Sequence, residues 1–234
     1  MAAGRVRCRL ARRSPAAPTP CYRSGNTRGV SSAYMLEQRI QQHFIDSADL
    51  KYQAAQLLSQ PIGAAVQAIL ACVTSGAKVL ACGSGAASAQ ARQFAALCVA
   101  GFERERPELA AVALEPDALW SAPGMPGGDA QVLARQVRAL GQAGDVLLAM
   151  ADGSAATDAA LVEAIQSAHE RDMTVIALTG RGGAALAGLL RETDVLIEVP
   201  HDRAARVREV HALVLHCLCD GVDAQLFGEQ EIPL

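Results

Sequence analysis

The sequence predicts an α/β fold, a three-layer doubly wound parallel sheet with N-terminal helices, and three observations predict it. Five short β-rich runs recur: "KVLAC" (78–82), "LAAVAL" (109–114), "DVLLAM" (145–150), "TVIALTG" (174–180) and "DVLIEV" (194–199). Each is largely apolar along its length, as a parallel strand covered on both faces must be. Helical stretches lie between most of them, and strand–helix alternation is the pattern of a doubly wound sheet.

Along the chain, "MLEQRIQQHFIDSADLKYQAAQLL" opens a clean amphipathic pattern at Met35. It predicts one helix over 36–60 and a second over 62–74, with Pro61 between them where a helix could begin. Further helices are expected over 86–102, 130–144, 155–171 and about 203–227. Gly182-Gly183 reads as a turn. The pattern is that of one domain over 35–234.

Residues 1–34 stand apart. They hold seven arginines (Arg5, Arg7, Arg9, Arg12, Arg13, Arg23, Arg28) and no acidic residue, so the remaining chain is more acidic than the overall charge of −3 suggests. An Arg-rich, acid-free leader reads as a transit peptide, as a nucleic-acid arm, or as upstream sequence from a misplaced start. The last reading is the expectation: a disordered leader, not necessarily translated.

Composition excludes several classes. A hydrophobic share of 51% with 19% charge is that of a globular protein. No apolar run reaches the roughly 18 uncharged residues of a membrane span, so no membrane association is expected. Aromatic content of 3% leaves little to stack on bases, and an acidic body argues against direct DNA binding. The seven cysteines form no C-x-x-C pair and no zinc-spaced cluster with histidine. A reducing cytoplasm, with no metal and no cofactor, is the expectation.

Ligands of such sheets bind beyond the carboxyl ends of the strands. There the first strand leads into Gly83-Ser84-Gly85, the third into 151–157 and the fourth into 179–183. A Gly-x-Gly turn before a helix aims free N–H groups at one point, which suits a phosphate and equally suits a plain tight turn. The third glycine of a dinucleotide fingerprint and the Gly-Lys-Ser/Thr of a nucleotide loop are both missing. Gly83, Ser84, Gly85, Ser88, Ser154 and Thr157 are the candidate ligand-binding residues.

The blocks "CGSG" with "AQARQFAA" behind it, "RQVRALGQAGDVLLAM", "RDMTVIALTG", "GGAALAGLL" and "ARVREVHALVLHCLCD" resemble the sugar isomerase (SIS) domain family, in its phosphoheptose isomerase-like branch. The resemblance covers nearly all of 35–234. Within the branch, "FERERPEL", "RQVRALG", "HCLCD" and a D-x-x-L-F tail over Asp223 to Phe227 are similar to the DnaA initiator-associating proteins.

The resemblance implies an isomerase site with a histidine and a glutamate four residues apart on one helix, and a glutamine and a histidine eight apart on the last. The matching positions here are Gln93, Leu97, Arg208 and His216. Only His216 is retained, so it reads as vestigial; Leu97 carries no proton, and a metal held by that quartet is not expected. The family's serine in the first turn falls at Ala87. Asp152 stands in the second loop, where a like charge would disfavour a phosphate by on the order of 1 to 4 kcal/mol. His216 beside Asp220, and His211 with Glu209, read as interfacial or solvated.

What the resemblance then implies is a non-catalytic protein that binds the DnaA initiator as a homo-oligomer, a tetramer, and promotes replication initiation, with Leu226 and Phe227 in the partner surface. Phosphoheptose isomerase, acting on sedoheptulose 7-phosphate with a relocated base, is the alternative, as is a sugar-phosphate sensor.

Overall fold

The computed structural model describes residues 27–115, 128–153 and 159–229, with side chains from residue 32 onward. The leader up to residue 26 and the candidates Ser154 and Thr157 lie outside the described residues.

The elements run α1 (Thr27–Thr74), β1 (Val79–Gly83), α2 (Ala87–Ala100), β2 (Ala111–Ala113), a single 3-10 turn (Gly128–Gln131), α3 (Val132–Leu140), β3 (Val146–Met150), α4 (Ala159–Glu170), β4 (Thr174–Gly180), α5 (Ala184–Ala187), β5 (Val195–Val199) and α6 (Ala204–Phe227). The five strands form one parallel sheet in the order β2-β1-β3-β4-β5. β1 and β3 are neighbours in register, Val79 with Val146 through Gly83 with Met150, and the connections leave them in opposite directions across the sheet.

Strand side chains alternate between two cores. Val79, Ala81, Val146, Leu148, Met150, Ile176 and Leu178 face the helices α1, α2 and α6, packing with Leu58, Ile69, Phe94, Val214 and Leu218. Leu80, Cys82, Leu147, Ala149 and Val175 face α3, α4 and α5, packing with Leu133, Leu161 and Ile165. Central strands buried on both faces are why β1 and β3 read as unbroken apolar runs. At the edges the expectation weakens: Val112 on β2 is 40% exposed and Glu198 on β5 is exposed.

One expectation is corrected. The helix does not break at Pro61: α1 is continuous from Thr27 to Thr74, so it also begins before Met35. A proline inside a helix costs about 3 kcal/mol or more. Burial of Leu50, Ala54 and Leu58 before it, and of Ala65, Val66, Ile69 and Cys72 after it, offsets that cost. Gly182-Gly183 is a turn, as expected, and a short helix the sequence did not show, α5, starts directly after it. A Cβ at Gly183 would lie 2.5 Å from Thr179 Cβ, so glycine lets the short helix close onto the end of β4.

The chain forms two compact units, Met1–Gln42 and His43–Leu234. In the first, Tyr34, Met35, Leu36 and Ile40 are exposed. In the second, Phe44, Ile45, Tyr52 and Leu57 are exposed on α1. Contrary to expectation, the segments Ser32–Thr74 and Ala204–Phe227 are long and apolar enough to cross a membrane by length and composition. In α6 the apolar side chains Val207, Val210, Val214, Leu215, Leu218 and Val222 are spent on the core.

Candidate functional site at the carboxyl ends of β1 and β3

β1 and β3 end side by side at the switch point of the sheet, where open α/β sheets take their ligands. The loop after β1 is fastened there, since Ser84 N donates to Met150 O at 3.1 Å. Gly83 is required: a Cβ would lie 2.5 Å from the carbonyl carbon and oxygen of Ala87. Gly85 has φ +49°, which glycine tolerates best. Ala87 N and Ser88 N turn back to Ser84 O and Gly85 O, at 2.9 and 3.2 Å. The amides of Gly85 and Ala86 make no hydrogen bond among the described residues, both residues are exposed, and no side chain caps α2. Two such N–H groups at the positive end of a 14-residue helix form a cradle of the kind that suits an anion.

The serines contribute unequally. Ser88 Oγ donates to Gly85 O at 2.8 Å, so its proton is taken up within the turn and it can offer a ligand only lone pairs. Ser84 is half-buried beside the open amides.

Asp152, at the end of β3, is buried, and its charge is not left facing the cradle: Arg208 Nη1 on α6 donates to Asp152 Oδ2. Arg208 keeps a third of its side chain exposed, and its own carbonyl accepts from Gln90 Nε2 on α2 at 2.8 Å. Among the described residues, Gln90 Oε1, Thr179 Oγ1 and His211 Nδ1 are buried without a hydrogen-bond partner. His211 is thereby corrected, being fully buried, with Nε2 3.3 Å from Thr179 O. Burial pushes its imidazole down to about 4, against the opposing pull of Thr179 O and Asp152. Glu209 remains partly exposed while accepting from Ser47 Oγ at 2.7 Å and pairing with Arg206.

Two turns further along α6, His216 lies with its Nε2 3.4 Å from Gln93 Nε2 and its ring stacked on Phe102 at 5.3 Å. A cleft of about 240 Å³ opens beside Phe102, and Glu103, Asp220 and Asp223 offer carboxylates along it. Gln93, Leu97, Arg208 and His216 thus sit on the facing helices α2 and α6. Leu97 and Arg208 have no metal-ligating group, and no three His, Cys, Asp or Glu side chains gather as a metal set among the described residues. The quartet does not fit a metal.

Leu226 and Phe227 differ in kind. Leu226 is partly buried and packs against the core. Phe227 is 38% exposed, with the Arg104 guanidinium 5.5 Å over its ring.

Residues 42–180, more than half of the chain, match the SIS domain. The chain belongs to the SIS domain family. Within it the similarity is to the phosphoheptose isomerase branch. A phosphoheptose isomerase of Methylibium petroleiphilum is 57% identical over 199 residues, covering 85% of this chain and 98% of that protein. The structure of the phosphoheptose isomerase of Neisseria gonorrhoeae superposes with a TM-score of 0.73 at 43% identity, over 81% of this chain and 99% of that one. That of Francisella tularensis gives 0.73 at 37%, over 80% and 97%. These relatives correct the expectation of a non-catalytic SIS protein that binds DnaA. Three changed positions of four do not outweigh the rest of the SIS domain, whose likeness runs to isomerases along nearly their whole length.

Proposed function

We propose that this chain is a phosphoheptose isomerase, converting sedoheptulose 7-phosphate to an aldoheptose phosphate in the cytoplasm. The observation that carries the reading is the 57% identity along 98% of a phosphoheptose isomerase. The open amides of Gly85 and Ala86 at the switch point suit the phosphate. His216 is the proton-transfer group: on one face of an enediol a single imidazole takes the proton from C1 and returns it at C2, while the hydroxyl proton of O1 passes to O2 as the C1 aldehyde forms. Gln93, within reach of the same ring nitrogen, holds the imidazole in place.

The working domain is 35–234, and it assembles as a homotetramer. Exposed large apolar side chains on α1, among them Phe44, Tyr52 and Leu57, and Phe227 on α6 are of the kind that subunit contacts cover. A second reading, a sensor that binds the sugar phosphate without turning it over, is favoured by one observation: Leu97 puts an aliphatic side chain where the family resemblance places a glutamate. Incubating the purified chain with sedoheptulose 7-phosphate separates the two, because aldoheptose phosphate forms only under the first.

A further inference from the structure

From the ion pair at the switch point we infer that Arg208 is a phosphate ligand, held in position by Asp152, and that it adds charged donors to the backbone amides of the first turn. The inference rests on the sugar-phosphate reading of the site. The first turn offers an anion two backbone amides and few protons: Ala87 has no hydroxyl, and the Ser88 proton goes to Gly85 O. Asp152 alone would repel a phosphate. Arg208 Nη1 cancels that charge, and a guanidinium carries five N–H donors in a fixed fork. With a third of the side chain exposed, the outer part of the fork is open to an anion, and guanidinium and phosphate match in a two-point geometry.

The fork is aimed, not loose. Asp152 is 1% exposed and fixes one end of it, while Gln90 Nε2 ties the Arg208 carbonyl to α2, one turn from the open amides. Gln90 Oε1, on the same side chain that ties the Arg208 carbonyl, is buried without a partner among the described residues.

The test measures binding, not turnover, by calorimetry with inorganic phosphate, sedoheptulose 7-phosphate and unphosphorylated sedoheptulose. The proteins are the full chain, Arg208→Lys, and the double variant Asp152→Thr/Arg208→Gln. The double variant removes both charges together, so no buried carboxylate is stranded and the fold is kept; its melting curve checks this. Both phosphorylated ligands are expected to bind the double variant about tenfold or more weakly, the size of a lost charge-assisted hydrogen bond. Arg208→Lys falls between, and unphosphorylated sedoheptulose is unchanged throughout. A folded double variant that binds both phosphates within twofold of the full chain overturns the inference, as does a full chain that binds neither. A full chain that binds sedoheptulose 7-phosphate through Arg208 but never isomerises it leaves the inference standing and sinks the isomerase reading.

Discussion

Arg208 on α6 reaches the buried carboxylate of Asp152 at the end of β3, joining two residues 56 positions apart across the carboxyl edge of the sheet. Removing one partner of such a pair strands the other. Arg208→Ala is expected to cost about 2 to 3 kcal/mol, less than a fully buried pair because water reaches a third of the arginine. Urea denaturation checks this, and Asp152→Thr added to Arg208→Gln is expected to recover most of the loss.

A second pair is buried on both sides. Arg106 Nε donates to Asp223 Oδ1 at 2.7 Å with both side chains at most 2% exposed, and Arg106 also donates to Cys98 O and Leu97 O at the end of α2. Asp223→Ala is therefore expected to cost about 3 to 5 kcal/mol, read as a lowered denaturation midpoint. The same change leaves the phosphate cradle untouched, so inorganic phosphate is expected to bind the folded fraction as before.

Acid stability follows from His211. Its folded-state pKa, about 4, lies below the ordinary 6.5, so between these values the unfolded chain binds a proton that the folded chain excludes. Stability is fully present above about pH 6.5 and is lost as pH falls toward 4, by on the order of 3 kcal/mol. His211→Gln is expected to flatten that part of the stability–pH curve. A variant curve parallel to that of the unchanged chain over this range counts against the assignment.

The turn after β1 gives a sharper steric test. Gly83→Ala drives a Cβ into the Ala87 carbonyl, backbone that has no rotamer in which to escape. Phosphate binding is expected to fall together with thermal stability, whereas Gly63→Ala, with nothing within 4 Å of its added Cβ, is expected to change phosphate binding little.

The strands were legible because β1, β3 and β4 are apolar and buried along nearly all their length, which leaves a mark at every position. Four residues of α5 are too few for a helical period to show, and the continuity of α1 through Pro61 depends on core contacts on both sides of the proline. His211 was misread because α6 carries apolar residues on several faces, exposed Leu213 as well as buried Val214 and Leu215, so its buried side is not marked by contrast. The Gly-x-Gly sequence showed where the tight turn after β1 falls. The Asp152–Arg208 pair did not announce itself: Asp152 read alone was a defect, and only the fold brings its partner to it. The family was legible in long blocks, while the activity was misjudged from four positions.

The most direct test of the isomerase reading is solvent deuterium incorporation, followed by NMR, when the full chain meets sedoheptulose 7-phosphate in heavy water. An enediol route predicts aldoheptose phosphate labelled at C2, with label washed into C1 of recovered substrate, and His216→Ala is predicted to abolish both. A folded chain that binds the sugar phosphate yet leaves C1 and C2 unlabelled, or a His216→Ala variant that labels them as fast as the unchanged chain, would contradict it.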